Sequence, residues 1–186
     1  MLSISSASSM ITVETWSSCT VRRSITFYWY GKAYAAGIKE AALPLARLYL
    51  RPSDEQDTVR AEKLLREAAG IETDGQASLA LGNIYRDGLN GEIDMKQAVS
   101  WYEKGASQGN PECMEILGCL YFQGEEGVDR DYAKAFEWLN RCEEAGSLQS
   151  ASKLGYLYMK GEGCTADENK AKEPRLTQMT GQNAST

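Results

Sequence analysis

The sequence predicts an all-α fold, an α/α superhelical solenoid of antiparallel helix pairs with about four repeats of 36 to 37 residues. Three observations carry this. The segments ASLALGNIY, CMEILGCLY and SASKLGYLY end on Tyr85, Tyr121 and Tyr158, at steps of 36 and 37 residues. Gly82, Gly118 and Gly155 keep the same steps, as do Leu81, Leu117 and Leu154. A second pattern follows in register, in which Asp57, Asp94, Asp131 and Asp167 each stand four residues before Ala61, Ala98, Ala135 and Ala171.

The elements follow in chain order. Residues 1–23 are rich in Ser and Thr and match nothing in the period, so they are left unassigned, expected as a disordered leader with a misassigned start as the alternative. They lack the basic start and continuous apolar stretch of a secretion signal. The segment TFYWYGKAYAAG puts Trp29 and Gly37 two periods before Trp101 and Gly109, which predicts a second helix with no recognisable first helix ahead of it. AALPLARLY then supplies a degenerate first helix, with Leu45 in register, Ala46 in the glycine position and Tyr49 at its end.

The next first helix is expected over about residues 76–87, stopping at Gly88, because glycine adopts the left-handed conformation that closes helices. The loops DGLNGEI, QGEEGV and KGEG differ in length, so the period wavers. Asp94, Asp131 and Asp167 stand where an N-cap accepts from free amides and opposes the positive end of the helix dipole. Second helices are expected over about 95–107 and 130–145, with Gly109 and Gly146 closing them. A glycine inside a helix costs roughly 0.5–1 kcal/mol against alanine, so Gly82, Gly118 and Gly155 imply close approach of a neighbouring helix. Trp29, Trp101 and Trp138 occupy matched positions and are expected in the core. Pro174 falls in the position of Trp138 and should end the last second helix. Residues 174–186 read as a disordered polar tail, which leaves 24–173 as the solenoid.

One full unit is carried by Cys113, Leu117, Gly118, Tyr121, Gly124, Gly127, Val128, Asp131, Lys134, Ala135, Trp138 and Gly146. It resembles the Sel-one-like repeat family, a relative of the tetratricopeptide repeat, departing at Cys113 and at Arg141-Cys142. The resemblance spans roughly Ile25 to Glu173. It implies a stack of antiparallel helix pairs acting as a protein-interaction scaffold without catalysis, with the first helices along a concave groove.

Winding each first helix at 100° per residue places the leucine before the glycine and the repeat tyrosine on one face. Opposite lie Leu43, Arg47 and Leu50, then Leu79, Asn83 and Arg86, then Glu115, Cys119 and Phe122, then Ser152, Tyr156 and Met159. Of these, Arg47, Leu50, Leu79, Asn83, Arg86, Glu115, Cys119, Phe122, Tyr156 and Met159 are the candidate groove residues. Their mix of charged, apolar and aromatic side chains suits a peptide or a partner helix. The bland alternative for any one of them is packing against an adjacent first helix.

Composition removes other classes. Twenty basic against 26 acidic residues give a net charge of −6, which lacks the footprint of a nucleic-acid binder and does not favour an anionic membrane surface. No stretch approaches a membrane span. With no histidine, Ser-His-Asp and Cys-His catalysis and histidine-ligated metals are excluded. The acidic loops around Asp87, Asn90, Glu92 and Asp94, and around Glu125, Glu126, Asp129 and Asp131, lack the spacing and final glutamate of a 12-residue calcium loop. No catalytic residue, metal or cofactor is expected. The five cysteines, Cys19, Cys113, Cys119, Cys142 and Cys164, contain no C-x-x-C and read as free thiols in a reducing, cytoplasmic setting, with export left open. The alternative reading is an exported cysteine-containing repeat protein with a β-lactamase-like hydrolase or envelope-glycan-binding role, after the disulfide-bonded branch of the family. Incomplete units at both ends are expected to expose apolar surface and invite self-association, and they equally suit a piece of a longer array.

Overall fold

The computed structural model describes residues 19–51, 57–71, 73–125, 127–147 and 150–172. Among them run nine α-helices: α1 (Cys19–Ala35), α2 (Ala42–Leu50), α3 (Thr58–Ala68), α4 (Gln76–Arg86), α5 (Met95–Ser107), α6 (Pro111–Gln123), α7 (Tyr132–Glu144), α8 (Ala151–Lys160) and α9 (Glu168–Lys172). A 3-10 turn over Lys39–Ala41 leads into α2. β structure among the described residues is confined to a bridge between Glu125 and Val128. First helices α2, α4, α6 and α8 each pack on the second helix that follows, and α3–α4, α5–α6 and α7–α8 contacts join the pairs into one stack. The predicted helical solenoid is the fold. The expected tail and residues 1–18 lie outside the described residues, while α1 begins at Cys19, inside the stretch expected as leader.

One hydrogen bond explains how the repeat tolerates loops of different length. The amide of each capping aspartate donates to the carbonyl of the repeat tyrosine: Asp57 to Tyr49 at 3.4 Å, Asp94 to Tyr85 at 2.9 Å, Asp131 to Tyr121 at 2.9 Å and Asp167 to Tyr158 at 3.0 Å. The loop between is free to bulge because its two ends are stitched together. The aspartate side chains then cap the second helices. Asp94 accepts from the Gln97 amide at 3.0 Å, and Asp131 from the Ala133 and Lys134 amides at 3.0 and 3.1 Å. Because Asp131 takes the cap, α7 starts at Tyr132 rather than near 130. Lys134 pairs with Asp131 at 3.8 Å and lies 5.0 Å over the Tyr121 ring, and Lys170 repeats this with Asp167 and Tyr158. Thus the aspartate, lysine and tyrosine of the motif form one small cluster in each of the two units that carry the lysine.

The core-facing leucines Leu81, Leu117 and Leu154 are buried, and the repeat glycines sit where the second helix comes closest. A Cβ on Gly118 would stand 2.6 Å from Leu139 Cδ2, and one on Gly82 would run into the Tyr102 ring. At Gly155 the approach is looser, the Ala171 carbonyl oxygen lying 3.3 Å from such a Cβ.

The tryptophans correct an expectation. Trp101 and Trp138 are half-buried at the rim of the core, and Trp29 is 61% exposed. Each is covered on its ring face by the cation three residues on: Lys32 at 5.8 Å, Lys104 at 5.0 Å and Arg141 at 4.7 Å. Trp101 packs back onto the α2–α4 cluster, and Arg66 of α3 reaches its ring at 5.4 Å. Burial at this position therefore comes from the preceding unit, and among the described residues Trp29 has none before it.

Candidate partner-binding face

The helix periodicity puts the candidate residues on the first helices, and two contacts show these helices running side by side. Arg47 of α2 donates to Gln76 Oε1 of α4 at 2.7 Å. Phe122 of α6 meets Tyr156 of α8 edge to face at 5.4 Å, and also Tyr132 of α7 at 5.6 Å.

Individual residues differ in depth. Arg47, Ser152, Tyr156 and Met159 are exposed, Met159 at 60%. Leu43, Leu50, Asn83, Arg86, Glu115, Cys119 and Phe122 are half-buried. Leu79 is a correction: it is 7% exposed and belongs to the core cluster with Tyr102, Met114 and Leu117. The α4 side chain that faces away from its own second helix is here swallowed by the next pair. Asn83 is engaged too, its Oδ1 accepting from the buried Tyr102 hydroxyl at 2.8 Å. That bond satisfies a phenol whose pKa burial pushes well above the ordinary tyrosine value.

Consequently the ten residues form no single patch. The structure brings Phe122 and Tyr156 together on α6 and α8, with exposed Met159 also on α8. Arg86 instead turns to the loop edge, pairing with Asp87 at 2.9 Å, a hydrogen bond that raises its pKa. There it lines a cleft of about 580 Å³ with Ile93, Met95, Lys96 and Glu125. Ile93 is a large apolar side chain left exposed beside that cleft. Its position in a variable loop gave the period no means of marking it.

A polar network joins α3, α4 and the loop after α4. Glu62 Oε1 accepts from the Tyr85 hydroxyl and from Arg66 Nε and Nη2, the latter two at 2.9 and 2.7 Å, while Asn90 donates to Glu62 Oε2. Arg66 also donates to the Tyr85 hydroxyl at 2.6 Å. In this unit Gln97 stands in the lysine position, and Arg66 is the cation that meets the repeat tyrosine. Burial works to raise the Glu62 pKa, but the hydrogen bonds from Tyr85 and Arg66 outweigh it and hold the carboxyl below its ordinary value.

Among the described residues no group of three His, Cys, Asp or Glu side chains is placed to hold a metal ion, and no helix is long and apolar enough to cross a membrane. Cys113, Cys119, Cys142 and Cys164 are free thiols, so no disulfide framework of the exported kind is built from them. Burial pushes the Cys113 thiol up to about 12.

The Sel1 repeat profile matches residues 24–38, 40–70, 75–110, 111–147 and 148–173. The chain belongs to the Sel1 repeat family. The first matched segment falls within α1 and the turn after it. Among curated relatives, the ERAD-associated E3 ubiquitin-protein ligase component HRD3A of Arabidopsis thaliana is 38% identical over 153 residues, covering 76% of this chain and 22% of its own. The chitin synthase regulator SKT5 of Saccharomyces cerevisiae is 29% identical over 140 residues, covering 74% of this chain and 18% of its own. The chain thus spans about a fifth of the length of these relatives. A Sel1 repeat protein from Oxalobacter formigenes has a similar fold, with a TM-score of 0.69 at 23% identity, over 93% of this chain and 77% of that one.

Proposed function

We propose that this Sel1 array is a non-enzymatic adaptor that binds a segment of a protein partner along the outward face of its first helices, centred on α6 and α8. The observation that carries the reading is the exposed Tyr156 and Met159 beside the half-buried Phe122. Water-facing aromatic and methionine side chains of this kind suit a peptide or helix with apolar anchors, and methionine adapts its shape to what it meets. Support also comes from the relatives' names, a ligase component and a synthase regulator, each describing a protein that works with an enzyme. Arg47, at the far end of the first-helix row, is an exposed cation on the same side of the stack.

Affinity purification with the tagged chain and with a Met159→Glu, Tyr156→Ser variant tests the assignment. Both side chains are exposed, so the variant should keep the helical spectrum and melting of the parent while losing the captured partner. Capture of the same partner in equal yield by both proteins would sink it.

A further inference from the structure

Of the six asparagines in the chain, Asn90 alone is followed by glycine. An asparagine amide is open to attack by the backbone nitrogen of the next residue, and a glycine there neither shields that nitrogen with a side chain nor restricts its rotation. Asn90 and Gly91 both lie exposed in the turn after α4, and a Cβ built on Gly91 meets nothing within 4 Å. Two hydrogen bonds restrain the reacting groups. The Gly91 amide donates to the Gly88 carbonyl at 3.0 Å, and the Asn90 side-chain nitrogen donates to Glu62 Oε2. The other Glu62 oxygen accepts from Tyr85 and Arg66, so this anchor is itself fixed by α3 and α4.

We propose that Asn90 is a site of spontaneous deamidation whose rate Glu62 governs, and that the reaction turns a bond holding the loop into a repulsion. The Gly91 nitrogen gives its proton to solvent and bonds to Asn90 Cγ, the Cγ–Nδ2 bond breaks, and that nitrogen takes up a proton and leaves as ammonia. Water then opens the cyclic imide at either carbonyl, leaving aspartate or isoaspartate, with no electron gained or lost. The Glu62 carboxylate slows the first step by tying the side chain down. It also draws on the Nδ2 proton, which strengthens donation of the nitrogen lone pair into the carbonyl and makes Cγ less electrophilic. After reaction the donor is gone, a carboxylate faces the Glu62 carboxylate, and like charges at this range repel. The loop affected joins Arg86 to Ile93, both of which line the loop-edge cleft, so the modification alters that surface irreversibly.

Timed incubation of the whole chain in mildly alkaline buffer, followed by peptide mass spectrometry, reads the rate at each asparagine. Position 90 should convert first, to a mixture of aspartate and isoaspartate, with Asn83, Asn140 and Asn169 slower by several-fold or more. Glu62→Ala should raise the rate at position 90 several-fold, and Glu62→Gln, which keeps an oxygen able to accept from Asn90, should fall between that variant and the parent. A second readout needs no aged protein. Asn90→Asp should melt below the parent, whereas in a Glu62→Gln background the same change should shift the melt little, because the glutamine amide donates to the new carboxylate. Three results would overturn the proposal: conversion at position 90 no faster than at the other asparagines; an unchanged rate in Glu62→Ala of parental helical content; or an equal melting loss from Asn90→Asp in both backgrounds.

Discussion

The ring of Tyr102 fills the space that a side chain on Gly82 would need, its Cδ1 lying 2.6 Å from a Cβ built there. This is a stability statement about one methyl group. Alanine in place of a helical glycine gains roughly 0.5–1 kcal/mol in propensity, but overpacking against a fully buried ring costs about 1–3 kcal/mol. Gly82→Ala should therefore be destabilising by about 1–2 kcal/mol on these figures. Gly155→Ala, where the Ala171 carbonyl oxygen would stand 3.3 Å from the new Cβ, should be near neutral or stabilising by a few tenths of a kcal/mol. Urea unfolding of dilute protein separates the two.

Capping gives a second contrast. Asp131 accepts from two amides and meets Lys134. Asp131→Ala should cost about 1 kcal/mol and Asp131→Asn a few tenths, since asparagine caps nearly as well. Equal losses for the two variants would mean that charge, not capping, dominates at this position.

Stability should respond to acid through Glu62. Its folded pKa lies below the unfolded value, so its contribution is present above about 4.3, the ordinary glutamate value, and is lost as pH falls through the folded value. Glu62→Gln should thus be less stable than the parent at pH 7, with the gap narrowing steadily below pH 4. Denaturant midpoints measured at several pH values check both the sign and the window.

Thiol reactivity should split by depth. Cys113 and Cys142 are buried, and burial raises both thiols, so each should resist labelling until the chain unfolds. Cys119 and Cys164 are half-exposed and should react first. Mass spectrometry of timed labelling assigns each site, and an intact disulfide among these four would contradict the free-thiol account.

Much of this fold is legible in sequence because its signals are local. A capping aspartate, a glycine at a helix end and a leucine four residues before a tyrosine each specify structure within one or two turns, and they recur. Depth is another matter. Leu79 and Met159 fall on the same nominal helix face, yet one is core and the other exposed, because Tyr102, Met114 and Leu117 of α5 and α6 close over Leu79. Trp29 repeats the motif of Trp101 without its environment, since that environment comes from a preceding unit. The Glu62–Arg66–Tyr85–Asn90 network ties the repeat tyrosine to Glu62, Arg66 and Asn90, which do not recur in other units, so no period could reveal it. The loop-edge cleft at Ile93 likewise lies where the repeats differ.

A protein partner is expected on the outward face of α6 and α8. A photo-crosslinking amino acid placed at Met159 on α8, and in a parallel protein at the equally exposed Val59 on α3, tests it most directly. A discrete crosslinked partner is expected from position 159 and none from position 59. Crosslinks of the same partner from 59 with none from 159 would contradict it.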